Sequence, residues 1–403
     1  MAENIGKIAF VVPWYGENIT GGAEMETRDL AHHLAGAGFD VEILTTCVQA
    51  FTADWNINYH NAGCFFEHGL TIRRFPVRTR DTKAFDEVNR KLIVGEKLGK
   101  GDEETFLREM INSPRLMDYI GEHREEYALF LFIPYMFGTT YYGVQRCRDR
   151  AVMIPCFHEE SYAHLPSFAR EFSQVAGMVF NAAPEKTLTE GLMDLSGVET
   201  VVMGIGMDTG ISGDADFFRE KYGIRDDYIL YAGRKDAGKN VDQLLEYFAR
   251  WKKRKPSDTK LVLIGGGRIG IPKSIREEVI DLGFVSAQDK YDACAGSLLL
   301  CQPSRHESFS LVIMESWLCG RPVLVSSLCD VTKNFAVESG GGLYFEDYPE
   351  FEGCVEYIRN HPAEAAAMGQ CGGVYVRQHF AWDQIIANYT DFFRRVTEKR
   401  RIS

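Results

Sequence analysis

The sequence predicts an α/β protein built from two doubly wound domains. Short apolar runs recur along the whole chain, and stretches of helical character fill the gaps between them. The runs are nearly continuous rather than alternating, as in parallel strands covered on both faces. The pattern breaks in a Gly- and Asp-rich stretch from Gly204 to Asp214 and then restarts. A chain of 403 residues, at roughly 100–200 residues per domain, calls for two to three cores.

Before the break, strands are read at Lys7–Val12, Val41–Thr45, Leu70–Phe75, Ala128–Ile133, Val152–Cys156, Met178–Asn181 and Thr200–Met203. A turn-rich loop, Pro13–Gly21, follows the first strand and leads into a helix over Gly22–Ala35, which Gly36 and Gly38 stop. After the break, strands are read at Ile229–Ala232, Lys260–Ile264, Gly283–Val285, Ser297–Gln302, Val323–Ser326 and Gly342–Phe345. The expected domains are 1–205 and 206–380, with 381–403 a C-terminal helix packing back on the first. Open α/β sheets bind ligands at the carboxyl ends of their strands, so two such domains facing across a cleft would bring two ligands together.

Composition narrows the function. A formal net charge of -12 argues against nucleic acid as the main partner. The N-terminus has no basic region or cleavage site of a signal peptide, and no apolar run reaches the roughly 20 residues of a membrane helix. The ten cysteines are scattered without a C-x-x-C pair, which predicts reduced, mostly buried thiols and no zinc site. A cytoplasmic protein is expected.

Four motifs carry chemistry. In Ser304-Arg305-His306-Glu307-Ser308-Phe309-Ser310-Leu311-Val312-Ile313-Met314-Glu315 a strand ends, a polar loop follows and an apolar helix starts near Ser310. The free amides at that helix start, Ser310, Leu311 and Val312, form an anion site. The plainer reading makes Ser308 or Ser310 an N-cap and leaves both glutamates on the surface. In Gly233-Arg234-Lys235-Asp236-Ala237-Gly238-Lys239-Asn240, Arg234 leaves a strand and Lys239 opens a helix, so both can address one phosphate. Alone, a solvated turn with a basic pair explains them as well. Thr20-Gly21-Gly22-Ala23-Glu24 places two glycines where a backbone can approach a ligand. His158 follows a strand and can hydrogen-bond a ligand, although a lone histidine is more often packed or solvated.

Two further matches read as decoys. Asp214-Ala215-Asp216 has the D-x-D form of metal-dependent transferases, but it precedes a short helix and reads as its N-cap, so no metal is expected. Gly265-x-Gly267-x-x-Gly270 fits the dinucleotide fingerprint, yet no acidic residue ends a well-defined second strand at the expected distance of about 20 residues.

Taken in order, the early Gly-Gly, His158, Gly-Arg-x4-Lys-Asn and Glu-x7-Glu ahead of Gly320-Arg321-Pro322-Val323 resemble the retaining GT-B glycosyltransferases of family four, of the polysaccharide-assembly type. The resemblance implies a GT-B fold and a UDP- or GDP-sugar donor, with no cofactor. By resemblance, Arg234 and Lys239 hold the donor diphosphate, Glu315 the ribose hydroxyls and Glu307 the transferred sugar. The backbone at Phe309, Ser310, Leu311 and Val312 meets the distal phosphate and sugar. Gly21 and Gly22 approach the diphosphate, His158 binds a sugar hydroxyl, and Gly265, Phe284 and Val285 border the base. The acceptor would attack from the leaving-group face, and the departing phosphate would take its proton. One departure concerns the first glutamate, usually followed by Gly-Phe-Gly, where this chain has Ser308-Phe309-Ser310.

The basic run with Arg73, Arg74, Arg78, Arg80 and Lys83 is read either as a solvated loop or as a patch for an anionic acceptor or a peripheral membrane contact. A glycan or lipid-linked acceptor is expected. The alternatives are a non-catalytic nucleotide-sugar-binding scaffold and a nucleotide-sugar epimerase.

Overall fold

A computed structural model describes residues 5–17, 19 and 21–402. The readings made on Met1 to Asn4 and on Thr20 lie outside them. The chain divides into two compact units, one running to Gly206 and resuming at Trp382, the other Met207–Ala381.

The first unit holds β1 (Lys7–Val12), β2 (Val41–Thr46), β3 (Gly63–Glu67), β4 (Leu70–Phe75), β5 (Tyr127–Phe132), β6 (Ala151–Met153), β7 (Gly177–Phe180) and β8 (Glu199–Val202). Their order across the sheet is β3-β4-β2-β1-β5-β6-β7-β8. All neighbours run parallel except the hairpin of β3 and β4. The central strands are apolar on both faces because helices cover both: Ile8, Phe10, Leu129, Phe130, Leu131 and Phe132 have no exposed surface.

The second unit holds β9 (Tyr228–Ala232), β10 (Lys260–Ile264), β11 (Val279–Gly283), β12 (Leu299–Gln302), β13 (Val323–Ser326) and β14 (Gly342–Phe345), ordered β11-β10-β9-β12-β13-β14. Every pairing is parallel, which is the doubly wound order with its reversal between β9 and β12. The helix Val241–Arg254 shows why the crossovers bury well. Val241, Leu244, Leu245, Phe248 and Trp251 recur at helical spacing and are all buried. Each such side chain contributes about 1.5–3 kcal/mol of transfer free energy.

Three expectations are corrected. The strand read over Val152–Cys156 ends at Met153, and Cys156 adopts a left-handed backbone (φ 57°) that no strand continues through. The strand read at Gly283–Val285 is Val279–Gly283, whose exposed Asp281 interrupts its apolar character. The unread strand β3 pairs with β4 across His68-Gly69, both at positive φ as a two-residue hairpin turn requires. Asp214 caps the helix Ala215–Tyr222 by accepting from the amides of Asp216 and Phe217, both at 3.0 Å.

In the first unit, Glu26 and Glu185 are buried among neutral hydrogen-bond donors. Glu26, on the helix Gly22–Gly36, accepts from Asn181 Nδ2 at 3.1 Å and from Cys156 Sγ at 3.6 Å. Glu185 accepts from the amides of Asn181 (2.7 Å) and Phe157 (2.8 Å). Burial pushes both carboxyls up to about 8, although their hydrogen bonds pull the other way. The folded state therefore keeps protons that the unfolded chain has lost above about pH 4.3. Stability from these groups is fully present below that pH and is lost as pH rises through about 8. Glu26→Gln should flatten the fall in unfolding free energy across that window, as measured by denaturant melts at several pH values. An unchanged slope would show that Glu26 is ionised in the fold.

Candidate functional site

In the second unit the strand order reverses between β9 and β12, and in such sheets the crevice for a ligand lies at the carboxyl ends of the strands on either side. The two strongest sequence motifs follow those two strands. The loops are tied together: Asn240 Nδ2 donates to the Pro303 carbonyl at 3.2 Å, and Ser304 Oγ to that of Gly238 at 3.4 Å. Asn240 is left-handed (φ 56°), which turns the chain from the short 3-10 turn Ala237–Lys239 into the helix Val241–Arg254.

This arrangement brings Lys239 onto Glu307, Nζ to Oε1 at 2.7 Å, with side chains 22% and 10% exposed. A half-buried pair of opposite charge is thus held at the carboxyl edge. Arg234 stands 60% exposed beside Asp236, Nε to Oδ2 at 3.3 Å. Its carbonyl accepts from the buried Tyr231 hydroxyl at 2.5 Å. Burial, with Glu307 nearby, pushes that hydroxyl well above its ordinary range, so it stays protonated.

Lys235, between the two predicted basic residues, carries no motif signal of its own. Its side chain is 1% exposed, and Nζ donates to Asp281 Oδ1 and to the Gly265 carbonyl, both at 2.6 Å. It clamps the loop after β9 to the loop after β10 and to β11 itself. Gly265 is required there. Its φ is 121°, and a Cβ would lie 2.0 Å from the Gly233 carbonyl oxygen. Phe284 is exposed with its ring over Gly266, and Val285 beside it is half-buried.

After β12, the helix Leu311–Leu318 begins at the amides of Leu311 and Val312. Phe309 turns into the core, edge-on to Phe335 and Phe380, so its backbone alone faces the loop. The helix is buried from Ile313 to Leu318 and includes Glu315, which is 4% exposed. Lys290, from the helix Ala287–Gly296, meets it with Nζ 2.5 Å from Oε1. The reading of Glu315 as a surface residue is therefore excluded. Lys290 is the second residue the sequence reading did not single out. A lysine on the preceding crossover helix carries no motif of its own. Ser310, the helix N-cap, stands at φ 82°, where only glycine is comfortable. Its side chain caps no amide, contrary to the plain N-cap reading.

The other predicted residues lie in the first unit. Gly21 is the N-cap of the helix Gly22–Gly36, after β1. A Cβ at Gly22 would meet nothing within 4 Å, so the unit itself does not demand glycine there. His158 follows β6 with Nδ1 3.3 Å from Glu160 Oε1, which also accepts from the Tyr135 hydroxyl at 2.6 Å. Burial pushes the Glu160 carboxyl up to about 7. The basic run is corrected. Arg73 bonds Glu42 at 3.0 Å and lies over the Tyr119 ring, and Arg74 is buried with Glu67 at 3.3 Å. Arg78 bonds Glu109 at 3.0 Å, and Arg80 lies over Trp55 and Phe85. Of the five residues only Lys83 is exposed, because the arginines are taken up by internal partners. Among the described residues no three His, Cys, Asp or Glu side chains are grouped to hold a metal ion, and no helix is long and apolar enough to cross a membrane.

Residues 214–361 match the family described as "Glycosyl transferases group 1". That match lies within the second unit, and the fold is GT-B. A D-inositol 3-phosphate glycosyltransferase of Kribbella flavida is 29% identical over 221 residues, covering 50% of this chain and 51% of that protein. The match spans about half the length of the curated relatives. Among solved structures, sucrose-phosphate synthase from Thermosynechococcus elongatus superposes with a TM-score of 0.74 at 16% identity, covering 98% of this chain and 100% of that one. Anabaena HepE in complex with UDP-glucose gives 0.69 at 16%, covering 96% and 99%.

Ser310 tests how the loop is held. A non-glycine residue in the left-handed region costs about 1–2 kcal/mol, and the extra chain entropy of glycine offsets about 0.4–1 kcal/mol of the relief. Ser310→Gly should therefore raise stability by about 0.5–1 kcal/mol, read from denaturant midpoints. A β-branched Ser310→Val should lower it. Stabilisation by valine would contradict the backbone geometry.

Proposed function

We propose that this chain is a retaining glycosyltransferase that moves a hexose from a nucleotide-diphosphate sugar to a glycan or lipid-linked acceptor, without a metal. The observation that carries the proposal is the placement of Arg234, Lys239, Glu307, Glu315 and a helix N-terminus on the two strands flanking the reversal of the second sheet. The family match over that unit and the printed names of its relatives support it. HepE, in the complex with UDP-glucose, supports the donor class.

In this reading the departing diphosphate develops negative charge. Arg234, Lys239 and the amides of Leu311 and Val312 would stabilise that charge in place, without reorganisation. Lys239 exchanges its contact with Glu307 for phosphate oxygens, which frees Glu307 for hydroxyls of the transferred sugar. Glu315 receives the ribose hydroxyls, and Phe284 with Val285 borders the base. The acceptor is proposed to meet the first unit at the carboxyl ends of β1 and β6, near Gly21, Gly22 and His158. The curated relatives are named for a phosphorylated polyol, which makes an anionic small acceptor one candidate class. The acceptor attacks from the face that the diphosphate leaves, and a phosphate oxygen takes its proton.

The test is release of nucleoside diphosphate from a panel of UDP- and GDP-sugars. Arg234→Ala and Lys239→Ala should each raise the barrier by about 2–4 kcal/mol while thermal stability stays near that of the unaltered chain. Turnover near the unaltered rate in both would place the donor elsewhere.

A second measurement separates the acids. Glu315→Ala should weaken binding of the free nucleoside diphosphate in calorimetry, whereas Glu307→Ala should leave it nearly unchanged and depress transfer. Equal losses of affinity would contradict the division of roles.

A further inference from the structure

The helix Leu311–Leu318 is apolar except around Glu315, and its buried face includes Ile313, Met314, Trp317 and Leu318. A carboxylate there loses its hydration and tends to take up a proton. Burial pushes the Glu315 carboxyl up, and the ammonium of Lys290 pulls it back. The other titratable groups that feel this charge are Tyr291 and Cys294, on the helix with Lys290. Cys319, at the end of Glu315's own helix, and Asp208 also act on Tyr291. Lys290 is the cation that faces Glu315.

The two oxygens of Glu315 differ. Oε1 receives Lys290 Nζ at 2.5 Å, while Oε2 is buried and has no hydrogen-bond partner. A purely structural ion pair gains little from burial unless its remaining lone pairs are satisfied. The lysine is held from beyond its charge as well, with Nζ 5.2 Å from the centre of the Tyr291 ring and a side chain 20% exposed.

We infer that Lys290 is a positioning residue for the donor, holding Oε1 of an ionised Glu315 so that Oε2 is presented to a pair of sugar hydroxyls. The inference rests on the proposed donor site and adds the residue that makes its ribose contact available at neutral pH. The chemistry is specific. An ionised carboxylate accepts from both hydroxyls of a cis-diol, whereas a protonated acid must donate with one oxygen and loses one of those contacts. Without Lys290 the ligand would have to drive a proton off Glu315 before it could bind.

The experiment is a calorimetric titration of UDP and of GDP into the unaltered chain, Lys290→Met, Lys290→Arg, Glu315→Gln and the Lys290→Met/Glu315→Gln double variant. Buffers of different ionisation enthalpy are used at about pH 8, above the second phosphate ionisation of about 6, so that the phosphate itself exchanges few protons. Lys290→Met should lose about tenfold in affinity near neutral pH, recover as pH rises, and release a proton on binding that the unaltered chain does not. Lys290→Arg should keep the flat pH profile, because it keeps a cation. In the Glu315→Gln background Lys290→Met should cost nothing further, since the two residues act as one. A loss in Lys290→Met that is equal at every pH, or that adds to that of Glu315→Gln, would overturn the role and leave a structural lysine. Unchanged affinity would overturn it as well. If the unaltered chain binds neither nucleotide, the donor-site reading itself fails, and the role of Lys290 fails with it. If Lys290→Met does not fold, Lys290→Gln carries the same comparison.

Discussion

The parallel pairing of β9 with β12 is the constraint on which the second unit depends. Two register pairs, Leu299 with Ile229 and Leu300 with Leu230, join strands whose crossovers leave in opposite directions. The loops that follow have no helix between them, so Gly233–Asn240 and Pro303–Ser310 meet side by side. Asn240 on Pro303 and Lys239 on Glu307 are consequences of that pairing. A single-residue slip would turn every buried side chain of β12 to the other face and separate the two motifs.

Buried charge is handled in more than one way. In the second unit Lys235 pairs with Asp281, Lys290 with Glu315 and Lys239 with Glu307, each within hydrogen-bond distance. Lone buried charges would cost several kcal/mol each, so these pairs fix the loops as much as they hold charge. In the first unit Glu26 and Glu185 are surrounded by amides, a thiol and Asn181, and burial pushes both carboxyls up to about 8. These acids join the helix Gly22–Gly36 and the loops after β6 and β7. The arginines of the basic run play a third part, stapling β4 and its following loop to Glu42, Glu109 and the Trp55–Phe85 rings.

Much of the fold was legible because parallel strands advertise themselves as apolar runs. Lys260–Ile264, Val323–Ser326 and Gly342–Phe345 stand at the residues the pattern predicts. The edge strands β3 and β11 were not legible in this way. β3 is largely exposed and β11 carries Asp281, so neither shows the signature of two-sided burial. Within the proposed site, Glu307, Glu315, Arg234 and Lys239 stand out by motif spacing and the resemblance it carries. Lys235 and Lys290 do not, because each acts through a three-dimensional neighbour 46 or 25 residues away in the chain. Asp214 is a case where local chemistry decided correctly, since capping needs only the next three residues. The basic run shows the reverse, because charge in a sequence does not reveal that an arginine is stacked on an indole.

The first unit is discontinuous, and this has a bearing on how the chain assembles. The helix Trp382–Ile402 completes it: Phe392 and Val396 pack where Gly177 leaves no Cβ, Trp382 stacks on His33 at 3.7 Å, and Arg395 bonds Glu199 at 2.9 Å. On the ribosome these residues emerge only after the whole of the second unit. The first 206 residues are therefore synthesised with Gly177, Phe39 and their neighbours still uncovered, and the all-parallel second unit follows before the helix that covers them. The last contacts to form join residues some 200 positions apart, such as Arg395 with Glu199. Such non-local closure is the slow kind, so completion of the first unit waits for the end of the chain.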